Sequence, residues 1–274
     1  MRRALFVCLY LPVLHAQASS PDQIRAAANH AIAIVQRGSA GFSKVAQCFS
    51  CHDHALPMLA LRMARERGVA VDEAAASQVA AKGFLTTPDF TSIDHAVQDQ
   101  MIVDPAPSDG WALMAAHDVG LQPNLVTAVY ARRIANWQRP DGYWPTVDDR
   151  PPQSYSLFTA TAVALRAMQL YMPPQLAEET NERRSRAKPW LLTAEPQSTE
   201  DSTYRLFGLY WAGATPQECS PAARELLALQ RSNGGWVELP HMQTDAYSTG
   251  EALVALHEAG GMAVTDPVWK KGLQ

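Results

Sequence analysis

Two thiols and an imidazole stand together in the stretch Cys48-Phe49-Ser50-Cys51-His52, the spacing at which haem c is usually attached to a polypeptide. Attachment adds both thiols to the porphyrin vinyl groups while the adjacent histidine ligates the iron, so the three residues must follow in this order. The same Cys-x-x-Cys step is a half-site for zinc, which Cys48, Cys51 and either His52 or His54 would begin. No second Cys-x-x-Cys or His-x-x-x-His follows, so zinc needs a partner from farther along, with His241 and Asp245 as the candidates. A disulfide between Cys48 and Cys51, or a buried thiol pair, is the third reading. A separate place for proton chemistry is the pair Asp148-Asp149, which otherwise reads as a solvated loop beside Arg150 and two prolines.

Which reading applies depends on the compartment. Residues 1–18 carry two arginines, an apolar run from Ala4 to Leu14, and Ala16-Gln17-Ala18 ahead of Ser19, which is the grammar of a secretory signal peptide. The mature chain is expected to begin near Ser19 and to be exported, either periplasmic or secreted. Cys8 leaves with the leader, so Cys48, Cys51 and Cys219 remain of four cysteines, an odd count that argues against a disulfide framework. No later run is long and apolar enough to span a bilayer, so no transmembrane segment is expected.

With 274 residues, 47% of them hydrophobic and 18% charged, the chain can bury a sizeable core. Its net charge is −4 and it has no block of Lys and Arg, so nucleic acid is excluded as a partner.

The elements that must position these residues are helices. Apolar residues recur at helical spacing in paired runs, and alternating patterns rich in β-branched residues are almost absent. "NLVTAVYARRIANWQ", a Pro- and Gly-broken loop, and "SYSLFTATAVALRAMQLYM" make one helical hairpin. "SPAARELLALQ", "RSNGGWVELPHMQTD" and "AYSTGEALVALHEAGG" repeat the grammar, with Ser220 read as N-cap and Pro221 as the first helical residue. Gln138, Gly142 and Trp144 recur as Gln230, Gly234 and Trp236, an offset of 230 − 138 = 92 residues, or two repeats of about 46. Three weaker hairpins complete the series. One runs from "IRAAANHAIAIVQ" to "ALPMLALRMARERG", one from "AAASQVAAKGFL" to "GWALMAAHDVG", and one from "RSRAKPWLLTA" through the loop "EPQSTED" to "STYRLFGLYWAGA". Asp266 as N-cap and Pro267 as first helical residue open a sixth outer helix, so the fold class is all-α, with five complete hairpins and a sixth expected to be truncated in a fragment.

The Gln-x(3)-Gly-x-Trp pairs resemble the repeats of squalene cyclases and protein prenyltransferases, over most of residues 19–274. Exported bacterial proteins with a Cys-x-x-Cys-His in the first hairpin form a similar group. The resemblance implies an α/α toroid, in which outer and inner helices alternate around a central cavity. It also implies that Trp144 and Trp236 pack on Gln138 and Gln230 and tie each outer helix to its loop.

In such a ring the loops before the inner helices share one rim. They would bring together Cys48, Cys51, His52, Asp53 and His54, then Asp109 and Trp111, then Asp148, Asp149 and Tyr155, then Glu200 and Asp201, and finally His241, Asp245 and Tyr247. Cyclase chemistry would need an Asp-x-Asp-Asp acid, but Thr146 stands where the first aspartate should be, which leaves Asp148 and Asp149 as weak catalytic candidates. Prenyl transfer would need zinc on this rim. Pro57 places a helix start just after the Cys-x-x-Cys-His segment, and a thiol at that positive end is expected to be unusually acidic. Three functions stay open. The first is a redox module carrying haem c, which passes electrons to a partner or senses a ligand. The second is a non-redox ring that binds or transforms a small apolar, isoprenoid-like molecule, with or without zinc. The third is an interaction scaffold.

Overall fold

The computed structural model describes residues 20–46, 49–81, 93, 94, 97, 104–147, 151 and 154–274. The expected leader, Cys48, and Asp148 with Asp149 lie outside these described residues. Within them the chain is all-helical, with eleven α-helices and no strand. None of the helices is long and apolar enough to cross a membrane. In chain order they are α1 (Pro21–Val45), α2 (Leu56–Glu66), α3 (Glu73–Ala80), α4 (Pro105–Asp118), α5 (Leu125–Asn136) and α6 (Leu157–Tyr171). The series continues with α7 (Ala177–Thr193), α8 (Thr199–Trp211), α9 (Pro216–Ala228), α10 (Ala246–Glu258) and α11 (Pro267–Gly272). A π-helical turn, Cys51–Ala55, runs directly into α2.

Local signals set most of these boundaries. Asn124 and Thr127 close a reciprocal capping box at α5, and Ser156 accepts hydrogen bonds from the backbone of Phe158 and Thr159 at α6. Asp266 caps α11 with Pro267 at its first position, as expected. Several boundaries differ from expectation. α4 begins at Pro105, so Asp109 and Trp111 lie inside it rather than in the loop before it. α9 begins at Pro216, because Thr215 and Glu218 form a complete capping box that outcompetes Ser220, and Pro221 lies inside the helix. α8 begins at Thr199 under Ser198, so Glu200 and Asp201 belong to its first turn rather than to the preceding loop.

The even-numbered helices pack in sequence, α2 on α4, α4 on α6, α6 on α8 and α8 on α10. Each odd-numbered helix from α5 to α9 covers the two even-numbered helices that flank it in the chain, and α11 rests on α10. Composition follows this layering. α6 buries Ala160, Ala162, Val163, Ala164, Leu165 and Ala167 completely, as a helix enclosed on all sides must. α7, "AEETNERRSRAKPWLLT", buries only Ala187 and Leu191. The even helices are therefore an inner row and the odd ones an outer layer. Gly110 on α4 meets Val163 of α6 so closely that an added Cβ would lie 3.0 Å from its side chain, which is how the inner helices approach one another.

The two tryptophan loops are built alike. The Trp144 indole donates to the Ile134 carbonyl at 2.7 Å, and the Trp236 indole to the Leu226 carbonyl at 2.9 Å, which ties each loop to the outer helix before it. Their backbone N–H groups donate to Thr161 and Thr249 on the following inner helix, both at 3.0 Å. Gln138 Nε2 donates to the Gly142 carbonyl and to Arg183 of α7, both at 2.9 Å. Gln230 repeats this toward Gly234 and toward Val268 of α11, at 2.8 and 3.1 Å. Gly142 and Gly234 have φ of 104° and 95°, and a Cβ would fall 2.1 Å from the Arg186 carbonyl and 2.3 Å from that of Lys271. Only glycine lets the loop touch the next outer helix.

Candidate functional site

The inner helices present two different ends. Beyond their N-terminal ends a group of carboxyls is buried among hydroxyls. Glu200, on the first turn of α8, accepts from Thr159 Oγ1 at 2.7 Å and from the Tyr247 hydroxyl at 3.0 Å. Glu238, in the loop before α10, accepts from the Tyr155 hydroxyl at 2.6 Å, and Tyr155 also contacts Ser198 Oγ at 2.8 Å. Glu251, on the second turn of α10, completes the group, and one oxygen from each of the three glutamates lies within 4.8 Å of the others. Asp201 stands beside them, accepting from Ser156 Oγ at 2.6 Å.

Burial dominates the electrostatics here. It pushes Glu251 far above the usual carboxylate range, and the charge of Glu200 adds to the effect. Glu200 and Glu238 are raised by the same desolvation, as are the Tyr155 and Tyr247 hydroxyls. Among the described residues no Lys or Arg pairs with any of the three glutamates. Glu251 and Glu200 are close enough to share a proton, which is how such a pair exists in low dielectric without a countercharge.

Cys51 borders this cluster. Its sulfur lies 3.9 Å from Ser154 Oγ and 3.6 Å from His52 Nδ1. The thiol is raised rather than lowered, first by burial and in part by the charge of Glu200. The expected acidification by the helix start is therefore overturned, because desolvation and a neighbouring carboxylate outweigh the dipole. His52 faces the other way, 62% exposed, with Nε2 at 3.2 Å from Asp53. His54 is buried between Phe42 and Phe49, its Nδ1 accepting from the Ser50 backbone at 3.1 Å and its Nε2 3.3 Å from Ser43 Oγ.

Not all the rim candidates converge. Tyr155, Glu200, Asp201, Tyr247 and Cys51 do. His241 is an exposed loop residue, and Asp245 is exposed as the N-cap of α10, accepting from Ser248 N at 2.8 Å. Asp109 turns to the outer layer, where it lies 3.5 Å from Arg133 of α5. Glu238 and Glu251, and the Thr159 hydroxyl that holds Glu200, escaped sequence reasoning. The available signal was a lone acidic residue among small and apolar ones in "STGEALVAL".

No family model and no curated protein matches the chain. Function must be read from the geometry.

Residues from all five inner helices, most of them in the C-terminal halves, line a cavity of about 300 Å³. Trp111, Tyr204, Phe207, Tyr210 and Trp211 give it aromatic walls, and the polar part is mixed in charge, with Arg62, Arg67, Arg166 and His117 beside Glu66, Asp118 and Glu258. Arg62 donates to Asp118 at 2.8 Å. Arg166 stacks over Trp211 at 5.8 Å, and burial lowers its affinity for its proton. The Trp111 indole N–H is buried in this wall and finds no acceptor. Tyr204 belongs to both ends, lining the cavity while sensing the charges of Glu200 and Glu251. A larger groove of about 860 Å³ runs along α8 and α9 on the outer side, but its Arg205 is already matched by Glu225 at 2.5 Å and by the Leu191 carbonyl at 2.8 Å.

Proposed function

We propose that this chain is an exported α/α toroid that binds a compact, mainly apolar molecule carrying a hydrogen-bond acceptor in the cavity enclosed by its inner helices. The ring reading is supported by the alternation of inner and outer helices, by the contribution of all five inner helices to one cavity, and by the two tryptophan loops. The observation that carries the ligand reading is the cavity itself, with aromatic walls and Arg166 stacked on Trp211; the Trp111 N–H, a donor without an acceptor, is buried within that wall. Such a group costs about 1–3 kcal/mol until an acceptor arrives. Arg166, stacked on Trp211, favours a ligand that carries a carboxylate. At about 300 Å³ the cavity is at the lower end of ligand pockets, which favours a one-ring or ten-carbon molecule over a long polyprenyl chain.

Calorimetric titration with geranate and with geraniol tests this. Geranate should bind more tightly than geraniol, Arg166→Met should erase the difference, and Trp111→Phe should weaken both by about tenfold. Absence of binding by either compound to the folded protein would overturn the reading.

A second reading, covalent haem c on Cys48, Cys51 and His52, is favoured by the exposed imidazole of His52 beside Cys51. The residues fit it only in part. His52 is open to solvent, whereas the Cys51 sulfur is turned toward Ser154 and Glu200, so thioether formation requires it to leave the rim. Zinc fits less well, since both ring nitrogens of His54 already face protein partners. Expression in a host competent for cytochrome c maturation should give, on the haem reading, a mass gain of one haem that survives denaturation. An unmodified, colourless protein would remove that reading.

A further inference from the structure

We propose that Glu200, Glu238 and Glu251 form a site for one hard divalent cation, Ca²⁺, Mn²⁺ or Mg²⁺, at the carboxyl-lined end of the inner helices. Distances come first. Oxygens held around one cation at roughly 2.1–2.4 Å from it lie at most about 4.8 Å apart, and one oxygen from each of these glutamates meets that limit with respect to the others. They come from three places in the fold, the first turn of α8, the loop before α10 and the second turn of α10, so the cluster is not a run of neighbours on one exposed face.

The second observation is independent of proximity. Both oxygens of Glu251 and Oε2 of Glu238 are shut off from solvent and accept no hydrogen bond. The Tyr247 hydroxyl, which also neighbours Glu251, gives its proton to Glu200. Thus three buried acceptor atoms in one group stand without a hydrogen bond, and each costs free energy unless a cation or a proton enters. The surrounding hydroxyls of Thr159, Tyr247 and Tyr155 hold Glu200 and Glu238 in place, as outer partners of a metal's ligands do. An all-oxygen donor set selects a hard cation and not zinc.

The full chain, freed of metal by chelator and dialysed, is titrated at pH 7.5 with MnCl₂ while free Mn²⁺ is followed by electron paramagnetic resonance. Melting temperature is read in parallel with CaCl₂ and MgCl₂. One saturable Mn²⁺ site is expected, with a rise in melting temperature for at least one of the three ions. Glu251→Gln keeps the shape and removes a charge, so that variant should fold at least as well, yet bind Mn²⁺ at least tenfold more weakly. Tyr247→Phe should weaken binding less. No cation-dependent change in the folded protein up to millimolar concentration would overturn the proposal and leave a proton shared between Glu200 and Glu251. Unchanged binding in Glu251→Gln would overturn it too, by placing the ion elsewhere. Neither result touches geranate binding in the cavity, which is tested separately.

Discussion

The tryptophan loops and the glutamate cluster lie in the same repeats and are built on opposite rules. In the loops both indole N–H groups, both glutamine amides and both tryptophan backbone N–H groups have acceptors, at matching distances in the two copies. In the cluster three carboxyls share a buried space, and one of them accepts nothing. A wall that only has to hold can satisfy nearly every polar group, Gln138 Oε1 being the one left over in these loops. A region that must receive something keeps some groups open, and the resulting instability marks where to look for function.

Four measurements test that contrast. The largest effect belongs to the loops: Trp236→Ala should cost about 3–5 kcal/mol by denaturant unfolding, since the residue is fully buried, and Trp144→Ala a similar amount. A loss below about 1 kcal/mol would show that the loops are not the wall's fastening. Next comes Gly234→Ala, which forces a left-handed residue against the Lys271 carbonyl and should cost about 3 kcal/mol.

The cluster should respond in the opposite sense. Its carboxyls keep protons in the folded state that the unfolded chain releases from about pH 4.5 upward, and Glu200 is pushed up to about 7. Its contribution is therefore most favourable at acid pH and declines as pH rises through about 7, on the order of 2 kcal/mol for chelated protein. Glu251→Gln should flatten that slope and stabilise the protein at pH 8 by about 1 kcal/mol; a slope unchanged in this variant would assign the titration to other groups. The smallest effect is kinetic. Cys51, raised by burial, should react with iodoacetamide more slowly at pH 7.5 than an unstructured cysteine peptide does, and fast alkylation would show that the thiol is not turned inward.

The loops were legible in the sequence because their chemistry repeats. Gln, Gly and Trp at fixed spacing announce the same contacts twice, and the Asp266-Pro267 start announces the last helix in the same way. Glu238 and Glu251 were not legible because nothing local distinguishes them: one follows a valine in a loop, the other sits in a helix with ordinary spacing. Their meaning comes from the burial of α8 and α10 side by side, a tertiary fact. Cys51 failed in a more instructive way. α2 does start beside Pro57, but a π-helical turn already begins at Cys51, and the effect of the helix start on the thiol was outweighed by burial, helped by a carboxylate 149 positions away in the chain, at Glu200.

Gln138 and Gln230 do more than close their own loops, because each also donates to a backbone carbonyl of the next outer helix, Arg183 in α7 and Val268 in α11. An interaction that joins each unit to its successor makes the chain behave as a one-dimensional cooperative array. Opening one hairpin orphans an amide in the hairpin before it, so disorder cannot stay confined to a single repeat. Amide exchange should therefore change in steps where one of these bonds is crossed rather than vary smoothly along the chain.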